Sequence, residues 1–241
     1  MTENQMLKET RPSYGQAPAA PTGRSGAMWG RVTAVGGLVF FGLFIGFAAL
    51  TSNTPAATDS RREVFSYLTQ HHDRLQLAAA LYGLAMAAAL LFLAGLFAML
   101  RKAEQRPRLA MAALAGGILA AAATVMGALV LGTTANRFLD LGPAGARTFW
   151  TMYLLSIGAT LLGQVLVIGS TAAVSMRTNL LPRWFTVASV VLALASIVGA
   201  FTIGYATAGI QAVAGITAVL NAIWILLASF YLWRHPELAS P

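Results

Sequence analysis

The chain has 241 residues, of which 57% are hydrophobic and only 10% are charged. A soluble domain carries about 25% charged residues, so this composition excludes an ordinary water-soluble globule. The chain has no cysteine, which excludes disulfides, thiolate metal sites and cysteine catalysis, and its formal net charge is +8.

The N-terminal segment has the composition of a disordered tail. Residues 1–27 hold three prolines and three glycines among polar residues, without apolar periodicity. The apolar run that follows is longer than the apolar core of a signal peptide and comes after a long polar segment. We therefore predict a disordered tail over residues 1–27 and a retained first span, with a signal peptide cleaved near residues 55–57 as the alternative.

Six apolar runs are each long enough to cross the roughly 30 Å hydrocarbon core of a bilayer as a helix. They cover residues 32–50, 75–100, 109–131, 149–176, 184–205 and 210–233, and none contains Asp, Glu, Lys, Arg or His. All nine prolines lie outside the runs, which favours continuous helices. The sequence therefore predicts an all-α, polytopic transmembrane bundle of six helices over residues 28–235, with a short tail over residues 236–241.

The distribution of basic residues predicts the orientation. Eleven of the sixteen Lys and Arg residues fall in the two tails and in the second and fourth loops. Because cytoplasmic segments carry an excess of Lys and Arg, we predict a multi-pass protein of the cell inner (plasma) membrane with both termini cytoplasmic. Trp150, Tyr153 and Tyr205 then fall at the outer interface, where aromatic side chains act as anchors.

The second loop is the most basic part of the chain. It contains Arg101, Lys102, Arg106 and Arg108 against a single acidic residue, Glu104. This pattern is explained by its effect on topology alone, and it also predicts contact with anionic lipid head groups at the inner face.

The first outer loop contains a helix-start signal. Ser60 and Glu63 have the spacing of a capping box, and Val64, Leu68 and Leu75 then recur on one helical face. We predict a short amphipathic helix in this loop, at the outer interface, running into the second span. It either seals the end of the bundle, the favoured interpretation, or acts as a lid for a ligand or partner.

His71, His72 and Asp73, together with Asp140 of the other outer loop, are the candidates for a site at the outer face. Adjacent helical residues point about 100° apart, so His71 and His72 are a poor pair of metal ligands. A solvated helix end is therefore the favoured interpretation, and we predict no metal, no cofactor and no catalytic residue. An enzyme acting on lipid at this face is the least favoured alternative.

Gln164 and Asn221 are the deepest polar residues of the apolar runs, so each needs a partner inside the protein. Hydrogen bonds between helices are the favoured role, and the lining of a polar cavity is the alternative. Gly42 and Gly46 form a GxxxG element, which favours close packing within the monomer over a dimer contact.

The predicted spans lack the residues on which several functions depend. An ion-coupled transporter usually has an ionisable residue within its spans, and here there is none.

The leading prediction is a non-enzymatic scaffold or accessory subunit of the bacterial cell envelope, with a membrane-protein partner or a second copy of the chain and no nucleic acid. The alternative is an uncoupled facilitator or channel for a small neutral or lipid-like solute. A scaffold should have a dry core, and a facilitator a cavity near Gln164 and Asn221.

Three segments carry a resemblance to a known group of proteins. They are Ser60–Leu68 followed by His72–Arg74, the basic second loop, and Leu181–Trp184 at the start of the fifth span. In this order they resemble a group of six-helix bacterial membrane proteins, mainly actinobacterial, to which no activity is assigned. The resemblance implies a fold and a location, and it supplies no site residue.

Overall fold

The structure, a computed structural model, describes residues 23–203 and 208–239, with side chains described over 28–203 and 212–238. These residues form five α-helices and a final 3₁₀ turn, without a strand among the described residues. The elements are α1 (Gly23–Leu50), α2 (Arg61–Ala103), α3 (Arg108–Thr178), α4 (Arg183–Thr202), α5 (Ala208–Arg234) and the turn Pro236–Ala239. The predicted all-α class is confirmed. Residues 1–22 of the predicted disordered tail lie outside the described residues, whereas residues 23–27 are helical, because α1 begins at Gly23.

All five helices are long and apolar enough to cross a membrane, judged by length and composition. Helices α4 and α5 coincide with the fifth and sixth predicted runs to within one helical turn over the described residues. Helix α1 ends where the first run ends, at Leu50. Long apolar runs therefore locate these helices correctly.

The third and fourth predicted spans correspond to the two helical arms of α3, which join at a sharp bend. Helix α3 has 71 residues, and the segment predicted as a loop is helical except at Gly142, where φ is 62° and ψ is 177°. Such a positive φ is accessible to glycine, and the fixed φ of Pro143 suits the first position of the arm that follows. The two arms, residues 108–141 and 143–178, pack side by side, with 2.9 Å between the hydroxyls of Thr124 and Thr160.

The predicted amphipathic helix is not a separate element. Residues 61–74 form the first part of α2, which continues without interruption to Ala103. The capping box is confirmed, since the Ser60 N–H donates to Glu63 Oε2 over 2.7 Å and the Glu63 N–H donates to Ser60 Oγ over 3.3 Å. These two hydrogen bonds hold the pKa of Glu63 below its ordinary value. Val64 and Leu68 are buried, so this apolar face packs on protein instead of lying on a membrane surface.

Each helix packs against the next one in sequence, and α5 returns to α1, so the bundle is closed. The arms of α3 approach each other closely. A Cβ added to Gly163 would stand 2.6 Å from both the amide nitrogen of Ala120 and the carbonyl oxygen of Gly116. By contrast, no atom lies within 4 Å of a Cβ added to Gly42. At Gly46, the second glycine of the predicted GxxxG element, an added Cβ would stand 3.3 Å from Leu81 Cδ1 of α2, so only one of the two glycines lies at a close helix contact.

The bundle has two distinct ends. At the basic end, which holds the α2–α3 turn and the C-terminal segment, Lys102 Nζ donates to the carbonyl oxygen of Glu237 over 3.0 Å. At the loop end, which holds residues 51–60 and the bend of α3, Arg147 Nη2 donates to the carbonyl oxygen of Ala57 over 3.4 Å. The candidate sites lie at or near these two ends.

Candidate functional site

The loop of residues 51–60 is fixed over the loop end by hydrogen bonds to backbone carbonyls. Arg74 Nη2 donates to the Ala49 carbonyl over 2.6 Å and to Ser52 Oγ over 3.1 Å. The first of these bonds satisfies a carbonyl in the last turn of α1, which has no partner within the helix. Trp150 Nε1 donates to the Pro55 carbonyl over 3.1 Å. The loop of residues 51–60 therefore covers this end of the bundle and is fixed there by hydrogen bonds.

Trp150 and Tyr153 lie beneath the loop of residues 51–60 and support it. Their side chains are only 1% and 2% exposed, and their ring centroids are 5.3 Å apart. The prediction that they anchor the protein at the membrane interface is therefore wrong, because both rings are buried inside the bundle. Tyr205, the third residue of that predicted set, lies outside the described residues.

Beneath the cover, a cavity of about 540 Å³ lies between α1, α2, the second arm of α3 and α5. Thr51, Asn53 and Thr54 of the loop line its mouth, and apolar side chains such as Leu154 and Val219 form its walls. Small-molecule sites typically enclose about 300–1,000 Å³. None of the described lining residues is charged. The cavity thus has the size and chemistry of a site for a neutral, mainly apolar molecule.

One wall of the cavity is aromatic. The Phe47 and Tyr82 rings stack with centroids 4.3 Å apart, and Phe44 and Phe40 continue this row along α1. Tyr153 lines the same cavity from the second arm of α3. Tyr82 and Tyr153 were not among the sequence candidates, although a tyrosine within an apolar run is a signal that could have marked them.

Gln164 and Asn221 line one smaller cavity of about 40 Å³, which is large enough for about one or two water molecules. It shares four lining residues with the large cavity, so the two adjoin: Phe44, Tyr82, Ile157 and Ala218. Asn221 Nδ2 donates to Ser196 Oγ over 3.1 Å. Gln164 Oε1 is buried and accepts no hydrogen bond from a described residue. The structure thus brings both predicted residues to the smaller cavity, which adjoins the larger one, and leaves one acceptor open.

The polar contacts of the histidines at the start of α2 are local, while the His72 ring also lies against Phe138 of α3, with centroids 5.8 Å apart. His71 Nδ1 lies 3.1 Å from the Tyr67 carbonyl oxygen, one turn earlier, and the two rings stack. His72 Nε2 lies 3.3 Å from Asp73 Oδ1. Burial raises the pKa of Tyr67, whose hydroxyl has no hydrogen-bond partner among the described residues. This corner is a packed helix start with short-range polar contacts.

Asp140 pairs within its own helix arm, with Arg137 Nη1 3.2 Å from Asp140 Oδ2. Across the described residues, no three His, Asp or Glu side chains are grouped so that they could hold a metal ion. The outer-face candidates His71, His72, Asp73 and Asp140 are therefore not assembled into a metal site by the part of the chain that the structure describes.

The basic candidates lie around the turn between α2 and α3, and all four are exposed: Arg101, Lys102, Arg106 and Arg108. Glu104 Oε2 accepts a hydrogen bond from the Ala110 N–H over 2.9 Å and so caps the start of α3. Arg106 and Arg108 form no ion pair with any described residue. Their charges are free to act on the surroundings of the bundle.

No family model, curated protein or solved structure matches this chain. The resemblance to six-helix bacterial membrane proteins stays a prediction.

Proposed function

We propose that this chain is a multi-pass membrane protein that takes up a neutral lipid-like or small apolar solute into the large cavity, without ion coupling. The observation that carries the proposal is the uncharged, aromatic-walled cavity of about 540 Å³ at the loop end. A charged solute would lose its hydration there without meeting an opposite charge on the described walls, whereas a neutral solute would not. The site therefore favours uncharged molecules.

The cavity at the loop end also favours a solute-binding function over a scaffold function. A scaffold needs only a packed core, and an open cavity of this size gives up packing contacts that a filled core would make. Gln164 Oε1 adds a chemical preference, because it is an open acceptor in the smaller cavity that adjoins the large one. A solute with a hydroxyl or amide N–H could satisfy it.

We further infer six membrane crossings, counting the two arms of α3 separately. Each arm contains one of the predicted apolar runs and is long enough to span a bilayer. An even number of crossings puts both termini on the same side. Among the described residues, the basic end carries more Lys and Arg than the loop end, which supports a cytoplasmic location for it and an inner-membrane setting with anionic head groups nearby.

A topology experiment tests this orientation. A reporter that is active only in the cytoplasm should be active when fused after Pro241, because the basic end is retained inside. The same reporter inserted between Asn53 and Thr54 should be silent. Activity at the loop insertion together with silence after Pro241 would invert the topology, and activity at both sites would refute the even number of crossings.

Solute binding is tested by filling the cavity from Gly215. A Cβ added there meets no atom within 4 Å, and Gly215 lines the cavity, so Gly215→Leu fills space without a clash. We expect purified Gly215→Leu protein in neutral detergent to bind the uncharged probe N-phenyl-1-naphthylamine about tenfold more weakly than the unmodified chain, as expected for a blocked pocket. Fluorescence titration measures the effect.

Gly42→Leu is the matched control, since Gly42 is also a helical glycine with open space around its Cβ but lies outside the cavity. Its probe affinity should equal that of the unmodified chain. Equal losses in both variants, or no loss in either, would refute the cavity as the binding site. If no probe binds and a second membrane protein co-purifies in stoichiometric amount, the scaffold function replaces this proposal.

A further inference from the structure

A second cavity, of about 280 Å³, lies at the basic end between the start of α4 and the end of α5. Its lining includes Trp184, Phe185, Leu227 and Phe230, with Arg234 at its polar end. Trp184, Phe230 and Leu227 are 63%, 49% and 41% exposed, so the cavity is a groove open to the outside of the bundle. It shares no lining residue with the cavity at the loop end.

Fixed contacts hold the floor of this groove. Phe185 stacks on Trp224 with ring centroids 5.6 Å apart, and Trp224 Nε1 donates to Ser189 Oγ over 2.8 Å. Tyr231 donates its hydroxyl hydrogen to the Leu180 carbonyl over 2.9 Å, which ties α5 to the segment before α4. The groove is therefore a feature of packed side chains and of the helix ends around it.

A cation is held at the mouth of the groove. The Arg234 guanidinium lies over the Phe230 ring, with Cζ 4.5 Å from the centroid, and it forms no ion pair with a described residue. The acidic residue that follows it, Glu237, lies 3.4 Å from His235 Nδ1. Arg183, the first residue of α4, adds a second positive charge at the same end. The mouth is thus positively charged, while the groove itself is apolar.

We propose that this groove binds one anionic phospholipid, whose phosphate contacts Arg234 and whose acyl chain lies against Leu227, Phe230 and Trp184. Leu227 is seven residues before Arg234, which corresponds to about 10 Å along the helix axis. In a phospholipid, a charged phosphate is joined to apolar acyl chains. The groove has the matching arrangement, with a cation at its mouth for the phosphate and apolar side chains along its length for an acyl chain. A guanidinium can bind a phosphate through two parallel hydrogen bonds. Trp184 lies at the end of a helix, where an indole suits the membrane interface.

This proposal is independent of the solute site and needs only that α4 and α5 cross the membrane. It is tested on the full chain in neutral detergent by native mass spectrometry, titrated with phosphatidylglycerol, phosphatidylcholine or inorganic phosphate. We expect phosphatidylglycerol to bind about tenfold more tightly than phosphatidylcholine, and Arg234→Gln to remove about that factor, because the charge-assisted contact is lost. Inorganic phosphate should not compete, since it lacks the acyl chain.

Arg177→Gln is the matched control, because it removes an exposed arginine at the end of α3 that lies at the same end of the bundle but outside the groove. Equal losses in both arginine variants would show diffuse charge attraction and overturn the site. Competition by inorganic phosphate would overturn the assignment to a lipid. Leu227→Trp fills the groove and leaves the charge unchanged, so it decides the question if Arg234→Gln fails to fold. A weaker phosphatidylglycerol affinity in folded Leu227→Trp supports the proposal, and an unchanged affinity refutes it.

Discussion

Replacing Gly163 with alanine should lower the free energy of unfolding by about 2–3 kcal/mol, the scale of overpacking in a tight core. The added Cβ would stand 2.6 Å from the Ala120 amide nitrogen and from the Gly116 carbonyl oxygen. Both are backbone atoms, so no side chain can rotate away, and the two arms of α3 must separate. Reversible unfolding of the chain in mixed detergent micelles, followed by circular dichroism, measures the change.

Gly169→Ala provides the matched control on the same arm. No atom lies within 4 Å of a Cβ added at Gly169. Alanine is favoured over glycine inside a helix by about 1 kcal/mol, so this variant should be slightly more stable than the unmodified chain. Similar stabilities for the two variants would contradict the close contact between the arms.

Replacing Trp150 with alanine should destabilise the chain by about 3–5 kcal/mol, the usual range for truncating a buried aromatic residue. Trp150 is 1% exposed, packs on Tyr153 and donates to the Pro55 carbonyl. Trp150→Phe keeps most of the packing and loses the hydrogen bond, so it should cost about 1–2 kcal/mol. The same unfolding measurement in micelles separates the two contributions.

Trp184→Ala is the control for this second prediction. Trp184 is 63% exposed at the start of α4, so its removal should change the stability by less than about 0.5 kcal/mol. A Trp150→Ala variant as stable as Trp184→Ala would show that the cover of residues 51–60 does not depend on the indole.

The sequence predicted those features that arise from local chemistry. The capping box at Ser60 and Glu63 needs only two side chains three residues apart, and its two hydrogen bonds are present. Helices α4 and α5 follow from their apolar runs, because the length of such a run reflects the thickness of a bilayer. Both signals are complete within a short stretch of chain.

The features that the sequence did not predict depend on contacts between distant residues. Apolarity ends near residue 131, but the helix continues to the bend at Gly142, since polar residues such as Asn136 and Arg137 are compatible with a helix outside a membrane. Gln164 and Asn221 were recognisable as deep polar residues, yet their position beside one cavity depends on how α5 packs in the bundle. The burial of Trp150 likewise needs the loop that covers it.

Three of the hydrogen bonds at the loop end use donors and acceptors whose protonation does not change in ordinary buffers. Arginine stays charged, the indole N–H stays a donor, and the acceptors from Ala49, Pro55 and Ala57 are backbone carbonyls. Neither acidification nor added salt removes a partner from these three bonds, as either can from a carboxylate ion pair. These three bonds should therefore persist across wide changes in acidity and ionic strength.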